Sequence, residues 1–144
     1  MRALFDTNVV LDVLLEREPH VHAASRLFAL LDNGRLEGSI CATTVTTVYS
    51  IAAKSFGRKR AQRHVHDLLA LFDVACVEGG VLERALDLGF DDVEDAVLHE
   101  AARAGGMAAI VTRDGKGFAR ACLPVFEPAE LLAALAATSP SDAL

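Results

Sequence analysis

The sequence predicts an α/β domain in which helices cover both faces of a parallel β-sheet. Short apolar segments alternate with longer segments of helical periodicity along the chain, the pattern of repeated βαβ units. The chain has 144 residues and is 52% hydrophobic, which is enough to bury the core of one domain. Ligands of such sheets gather beyond the carboxyl ends of the strands. Functional side chains are therefore expected at that edge.

The first half of the chain contains two predicted strands and four predicted helices. Apolar residues recur with helical spacing up to Leu31, and the segment "DNG" then ends that helix. The segment "TTVTTVYSIAAKSF" begins with β-branched residues, but its length and its alanine pair favour a helix begun by a threonine cap. The predicted elements are a strand at 2–5, helices at 8–15 and 20–31, a strand at 38–42, and helices at 43–56 and 58–72.

The second half continues the alternation to the end of the domain. Two glycines close a strongly patterned helix at 91–106, and Pro128 lies near the start of the last helix. The other predicted elements are strands at 73–77, 107–112 and 122–126, helices at 79–90 and 127–137, and a turn at 113–118. Residues 1–137 are predicted to form a single domain, and 138–144 a frayed tail.

Composition narrows the class of protein. No apolar run approaches the length of a membrane span, and no signal-peptide pattern is present, so we expect a soluble cytoplasmic protein. Cys41, Cys76 and Cys122 are far apart and form no CxxC pair. This spacing argues against a disulfide framework or a zinc site and favours buried, reduced thiols.

Acidic side chains from three distant segments are expected at the carboxyl edge of the sheet. Asp6 directly follows the first strand, and Asp114 follows the strand at 107–112. The helix at 91–106 leads into that strand, so its acidic first turn lies at the same edge. This turn carries Asp91, Asp92, Glu94 and Asp95.

Each of these acids also has a structural explanation. Asp91 or Asp92 could cap the helix, and an acid on its first turn is favoured by the helix dipole. Asp114 and Gly115 form a common turn pair. Asp12 could orient the site or pair with Arg17. Asp6 is harder to explain in this way, because it lies between a buried strand and an apolar helix.

Crowded carboxylates favour a divalent cation. Three or four carboxylates at one edge repel each other and resist ionisation. Mg²⁺ or Mn²⁺ removes this conflict, because both ions prefer hard oxygen ligands. Such ions can generate a hydroxide nucleophile and stabilise the departing oxygen of a phosphodiester.

Basic side chains are concentrated in one stretch. The net charge is −6, the wrong sign for binding nucleic acid through bulk charge. However, no Asp or Glu occurs between Glu37 and Asp67. The stretch is either a solvated helix face or a patch that binds phosphate groups. Its basic residues are Lys54, Arg58, Lys59, Arg60 and Arg63.

Three segments occur in a distinctive order along the chain: "FDTNVVLD", "DDVEDAVLHEAARAGG" and "AIVTRDGKGF". In these segments the chain resembles the PIN-domain nucleases, of the kind found as toxins of VapBC-type toxin–antitoxin modules. The resemblance extends from residue 2 to about residue 135. It implies a three-layer α/β/α fold with a five-stranded parallel sheet and a Mg²⁺- or Mn²⁺-dependent endoribonuclease activity. It also implies frequent dimerisation and often an antitoxin partner.

The resemblance also assigns roles to individual residues. Asp6, Asp95 and Asp114 match the metal-binding acids. Asp92 lies one helical turn before Asp95 and is an additional ligand or water holder, so these four acids form the predicted catalytic set. The residues that match supporting polar positions are Asn8 and Thr112.

The chain departs from the family pattern at one position. Many members carry a glutamate on the helix after the second strand, whereas the helix at 43–56 contains no acid. Thr47 occupies that position, with a shift of one residue left open. The leading hypothesis is an endoribonuclease toxin that acts on RNA. The alternative is a catalytically weak PIN protein that binds RNA or a partner. A phosphatase would carry a second Asp at position 8, which is Asn.

Overall fold

The computed structural model describes residues 1–138, which form a five-stranded, all-parallel sheet with the strand order β3-β2-β1-β4-β5. The predicted three-layer α/β/α fold is confirmed. The elements are β1 (Arg2–Phe5), α1 (Thr7–Leu14), α2 (Val21–Asp32), β2 (Glu37–Cys41), α3 (Ala42–Phe56), α4 (Arg58–Leu71), β3 (Asp73–Ala75), α5 (Gly79–Leu86), α6 (Val93–Ala104), β4 (Ala109–Val111), a 3₁₀ helix (Gly115–Phe118), β5 (Val125–Phe126) and α7 (Pro128–Thr138).

Several predicted boundaries differ from the observed ones. Helix α5 ends at Leu86, so the residues before α6 form a turn rather than helix. The threonine cap predicted for α3 is wrong, because β2 runs directly into the helix and Cys41 occupies the cap position without a side-chain capping hydrogen bond. Helix α7 includes Thr138, and the rest of the predicted tail, 139–144, lies outside the described residues.

The core lies on both faces of the sheet. One cluster of buried side chains packs α1, α2, α4 and α7 against one face, and a second packs α5 and α6 against the other. Phe5 of β1 contacts Phe28 and Phe72 edge to face, with ring centroids 6.2 and 5.1 Å away. At Gly38 a Cβ atom would lie 2.6 Å from Leu31 Cδ2, so the aromatic cluster packs directly on the backbone of β2.

The pairing of β1 with β4 positions the residues that follow both strands. These strands are parallel neighbours, and Phe5 is in register with Val111. The N–H of Asp6 donates to the carbonyl of Val111 at 2.8 Å, which extends the ladder by one hydrogen bond. Asp6 and Thr112 therefore leave the sheet side by side.

The cysteine prediction is wrong for two of the three residues. Cys41 is buried, whereas Cys76 and Cys122 are exposed. All three are free thiols, which agrees with the predicted absence of disulfides. Cys76 follows the end of β3, and Cys122 lies between the 3₁₀ helix and β5, so neither is enclosed by the layers of helices.

Within residues 1–138, no helix has both the length and the apolar character needed to cross a membrane.

Candidate functional site

Asp6 is buried at the carboxyl end of β1, with 6% of its surface exposed. Its Oδ1 accepts the N–H of Thr7 at 2.7 Å and thereby caps helix α1. Its Oδ2 accepts the hydroxyl of Thr112 at 2.7 Å and the side-chain amide of Asn8 at 3.3 Å. The carboxylate is therefore held in one orientation at the edge of the sheet.

Thr112 connects two of the predicted acids. Its hydroxyl donates to Asp6 and accepts the backbone N–H of Asp114 at 3.0 Å. The side chain is fully buried, so both hydrogen bonds are shielded from water. Thr112 and Asn8 both contact Asp6, and their supporting roles stay predictions.

Asp92 and Asp95 belong to the start of α6. Asp92 Oδ1 accepts the backbone N–H of Glu94 at 2.7 Å and that of Asp95 at 3.4 Å, so Asp92 caps the helix. Both hydrogen bonds use the same oxygen, which leaves Oδ2 of Asp92 for another contact. Asp95 is half-buried and lies on the first turn of the helix.

Gly117 brings Asp95 and Asp114 together. Its N–H donates to Asp114 Oδ1 at 3.2 Å. A Cβ atom at this position would lie 2.5 Å from Asp95 Oδ2 and 2.8 Å from Asp114 Oδ2. The two carboxylates thus approach a single point, and only glycine leaves that space open.

The acids interact electrostatically. Burial raises the pKa of Asp6, and the nearby carboxylates of Asp114 and Asp92 raise it further, against the lowering effect of the hydrogen bonds from Thr112 and Thr7. Burial also raises the pKa of Asp95 to about 6, with additional contributions from Asp6, Asp92 and Asp114. The ionised forms of these groups are therefore unfavourable in this arrangement.

The donor set fits a hard divalent cation in its chemistry. The converging groups are carboxylate oxygens, and the space beside Gly117 is kept free of a side chain. Across the described part of the chain, no group of three or more His, Cys, Asp or Glu side chains is arranged closely enough to hold a metal ion. Metal binding by Asp6, Asp95 and Asp114 therefore stays a prediction.

A buried ion pair supports the loop that carries Asp114. Asp12 is fully buried on α1, and the guanidinium of Arg113 contacts both of its oxygens, at 2.5 and 3.2 Å. The predicted partner Arg17 is farther from Asp12, at 3.9 Å. Arg113 lies between Thr112 and Asp114, so this pair ties the loop after β4 to α1.

Helix α3 contributes hydroxyl groups near the site. Thr44 is buried, and its hydroxyl forms a 2.9 Å hydrogen bond with that of Thr7, the residue after Asp6. Thr47 instead donates to the carbonyl of Thr43 within its own helix at 3.1 Å. Sequence reasoning missed Thr44, although its i, i+4 spacing to the buried residues Val48 and Ala52 was a usable signal.

The basic stretch is separate from the acids. It lies at the end of α3 and the start of α4. Its first residue, Lys54, lies about 15 Å along the α3 axis from Thr44, at a rise of about 1.5 Å per residue. The guanidinium of Arg60 lies 4.5 Å from the centroid of the Phe56 ring. The basic side chains of this stretch are Lys54, Arg58, Lys59, Arg60 and Arg63. Within residues 1–138, none of them forms an ion pair with a carboxylate.

Arg113→Ala should lower the free energy of unfolding by about 3 kcal/mol, the lower end of the range for breaking a buried ion pair. The variant leaves Asp12 buried with only the more distant Arg17 nearby. Urea denaturation measures the change. The control is Arg17→Ala, which should cost less than about 1 kcal/mol because Arg17 is partly exposed. Equal losses in the two variants would contradict the role of Arg113.

Asp95 should make metal-free stability depend on pH. Its pKa is about 6 in the folded chain against an ordinary value of 3.8, so between these values the folded state binds more protons than the unfolded state. Stability from this group therefore increases as the pH falls and is lost as the pH rises through 6. Asp95→Asn removes this dependence. In chelator, the melting temperature of the parent minus that of the variant should therefore fall as the pH rises through about 6. A difference that is constant with pH would contradict it.

The comparisons with known proteins agree with this fold. The PIN-domain family model matches residues 2–116. The toxin–antitoxin complex from Klebsiella pneumoniae has a TM-score of 0.67 and 25% identity, over 88% of this chain and 97% of that chain. VapBC-1 from nontypeable Haemophilus influenzae has a TM-score of 0.69 and 17% identity, over 90% and 99%. FitAcB from Neisseria gonorrhoeae has a TM-score of 0.69 and 20% identity, over 88% and 97%.

No curated protein sequence matches the chain. The family model spans most of the described residues and includes the three segments that carry Asp6, Asp95 and Asp114. The chain therefore belongs to the PIN-domain family.

Proposed function

We propose that this protein is a Mg²⁺- or Mn²⁺-dependent endoribonuclease and the toxin of a type II toxin–antitoxin pair. The observation that carries the proposal is the carboxylate edge, defined as Asp6, Asp92, Asp95 and Asp114. These acids come from three separate segments, and burial together with their mutual repulsion raises the pKa of Asp6 and Asp95. Family membership supports a nuclease activity.

The residues of the chain have distinct tasks in such a site. Asp6, Asp95 and Asp114 would hold the cation, which when bound supplies a hydroxide nucleophile and stabilises the departing oxygen. Thr112 fixes Asp6 relative to Asp114 through two hydrogen bonds. Asp92 keeps Oδ2 free to orient a water molecule while its Oδ1 caps α6.

The basic stretch would bind the RNA backbone away from the reacting phosphate. Its side chains are free of carboxylate partners within the described residues, and the guanidinium of Arg60 lies over the ring of Phe56. Lys and Arg contacts with phosphate supply affinity without reading the sequence. This arrangement would allow a chain of net charge −6 to hold a polyanion.

We also propose an antitoxin partner and a homodimer. Support for the antitoxin comes from the matched structures, which include the Klebsiella pneumoniae toxin–antitoxin complex and VapBC2 from Rickettsia felis bound to a promoter DNA fragment. The homodimer rests on the sequence resemblance to PIN-domain toxins.

The second candidate function is a catalytically weak PIN protein that binds RNA or a partner. The observation that favours it is the chemistry of α3, which contains no acid and places the hydroxyl of Thr44 next to Thr7. A hydroxyl binds a divalent cation less strongly than a carboxylate does. Metal binding and RNA cleavage by the same preparation distinguish the two candidates.

Asp6→Asn tests the metal site. The substitution keeps the shape of the side chain and removes a charge that burial makes unfavourable. Excess Mn²⁺ should stabilise the parent by about 2.7 kcal/mol at a concentration 100 times the dissociation constant, and it should stabilise the variant much less. Cleavage of RNA by the variant should be lost. Thermal melts in chelator and in Mn²⁺, with a gel-based cleavage assay, measure both effects.

The control is Asp87→Asn, which removes an exposed acid at the end of α5. It should retain the full gain from Mn²⁺. If Asp6→Asn gains as much from Mn²⁺ as the parent does, Asp6 does not hold the ion. If the parent binds Mn²⁺ but cleaves no RNA, the second candidate function is the correct one.

Substituting the basic stretch should weaken the salt dependence of RNA binding. The triple variant Arg58→Ala, Lys59→Ala, Arg60→Ala should reduce the slope of log affinity against log salt by about 0.7 for each phosphate of a single strand that is no longer neutralised. Fluorescence anisotropy with labelled RNA measures the slope. A triple alanine variant at Arg2, Arg26 and Arg35 removes the same charge elsewhere and should keep the parent slope. Equal slopes in both variants would show that the stretch is only a solvated face.

A further inference from the structure

A second group of titratable side chains lies outside the carboxylate edge, on α6 and the segment before β5. His99 and Glu100 are almost fully buried, each with 1% of its surface exposed. Cys122 is an exposed, free thiol. Its Sγ lies 3.4 Å from His99 Nε2, and His99 Nδ1 lies 3.1 Å from Glu100 Oε2. The thiol, the imidazole and the carboxylate thus form a chain of contacts in space. In this chain a nucleophile meets a base, and the base meets an acid that orients it.

The hydrogen bonds assign the tautomer of His99. The backbone N–H of Cys122 donates to Nε2 at 3.1 Å, so this nitrogen carries a lone pair. The neutral ring therefore has its proton on Nδ1, from which it donates to Glu100. The Cys122 Sγ lies 3.4 Å from the same nitrogen, so the thiol and the backbone N–H of Cys122 share its one lone pair, and the thiol is within reach of a base.

Glu100 is held in its ionised form by two arginines. Arg103 donates to both carboxylate oxygens at 3.0 Å, and Arg84 lies 3.5 Å away. The hydrogen bonds from Arg103, followed by the contact with His99, lower the pKa of Glu100 against the raising effect of burial. A buried carboxylate in contact with Nδ1–H stabilises the imidazolium that forms when His99 accepts a proton. The uncharged ring of Phe90 also packs on His99, with ring centroids 5.3 Å apart.

We propose that Cys122 is a reactive thiol, activated by His99 and Glu100, that forms mixed disulfides with low-molecular-weight disulfides. His99 Nε2 releases the hydrogen bond from the backbone N–H of Cys122 and accepts the proton of the thiol, and the thiolate attacks one sulfur of the disulfide. The new bond forms between Cys122 and that sulfur as the original S–S bond breaks. The departing thiolate takes the proton from His99, so no external oxidant is required.

The other two cysteines lack this environment. Cys41 is buried, and its sulfur accepts a hydrogen bond from the Thr43 hydroxyl at 3.2 Å. Cys76 is exposed, and no histidine contacts its side chain within residues 1–138. Cys76 is therefore an accessible internal control. The proposal is independent of the nuclease function, because it uses none of the acids at the carboxylate edge.

The test measures the reaction of single exposed cysteines with 4,4′-dithiodipyridine, an uncharged disulfide. The full chain carrying Cys76→Ser reports Cys122, and the chain carrying Cys122→Ser reports Cys76. Rates are followed by absorbance from about pH 5 to about pH 9, a range that includes the ordinary thiol pKa of about 8.5. The rate of Cys122 should reach half its plateau at a lower pH than the rate of Cys76.

The rate at neutral pH should also differ. A tenfold larger thiolate fraction gives only about a threefold faster reaction, because a thiolate of lower pKa is a weaker nucleophile. If the midpoint of Cys122 lies about one pH unit below that of Cys76, Cys122 should react about threefold faster. Equal midpoints for the two cysteines would overturn the proposal, since the shape of the pH profile does not depend on accessibility.

His99→Gln in the Cys76→Ser chain identifies the base. Glutamine can accept the N–H of Cys122 but cannot take a proton from the thiol. The midpoint of Cys122 should rise to that of Cys76, with folding checked by circular dichroism. A midpoint unchanged by the substitution would overturn the assignment of His99. If this variant does not fold, the comparison of Cys122 with Cys76 decides the proposal, because it requires substitutions only at exposed cysteines.

Discussion

The hydroxyl of Thr112 is the contact on which the arrangement of the acids depends. It joins Asp6, at the end of β1, to the backbone of Asp114, beyond the end of β4. The pairing of β1 with β4 places these residues side by side, and the full burial of Thr112 keeps water from competing for its hydrogen bonds. The position of Asp6 relative to Asp114 therefore depends on the register of the two strands and on the hydrogen bonds of this one side chain.

Asp6 and Asp95 of the carboxylate edge are unfavourable for folding when they are ionised, and the surrounding structure offsets part of this cost. Asp6 accepts hydrogen bonds from Thr7, Asn8 and Thr112. Burial and like charge still raise its pKa, so these hydrogen bonds do not fully compensate. A site that is unfavourable as free carboxylates and favourable with a cation is consistent with the proposed nuclease.

The basic side chain next to the acids and the basic stretch farther away have different partners. Arg113 lies within the loop that carries Asp114, but its guanidinium is turned to the buried Asp12. The basic stretch on α3 and α4 is unpaired in the described residues and lies far along α3 from the acids. Arg113 therefore stabilises the loop, while the basic stretch is available to a polyanion. In the proposed function, this division would allow RNA binding and metal chemistry to be altered separately.

The order of strands and helices, the parallel sheet and the edge at which the acids gather follow from the sequence by itself, because apolar periodicity and βαβ geometry determine them. Asp6 was placed at that edge for the same reason, whereas Asn8 and Thr112 were predicted from the resemblance to PIN-domain nucleases. Only the tertiary structure decided which side chains meet. Arg113 rather than Arg17 is the main partner of Asp12, Thr44 rather than Thr47 faces Thr7, and Cys122 meets His99. These contacts join residues distant in sequence, and their geometry depends on how helices and loops pack, which local periodicity does not encode.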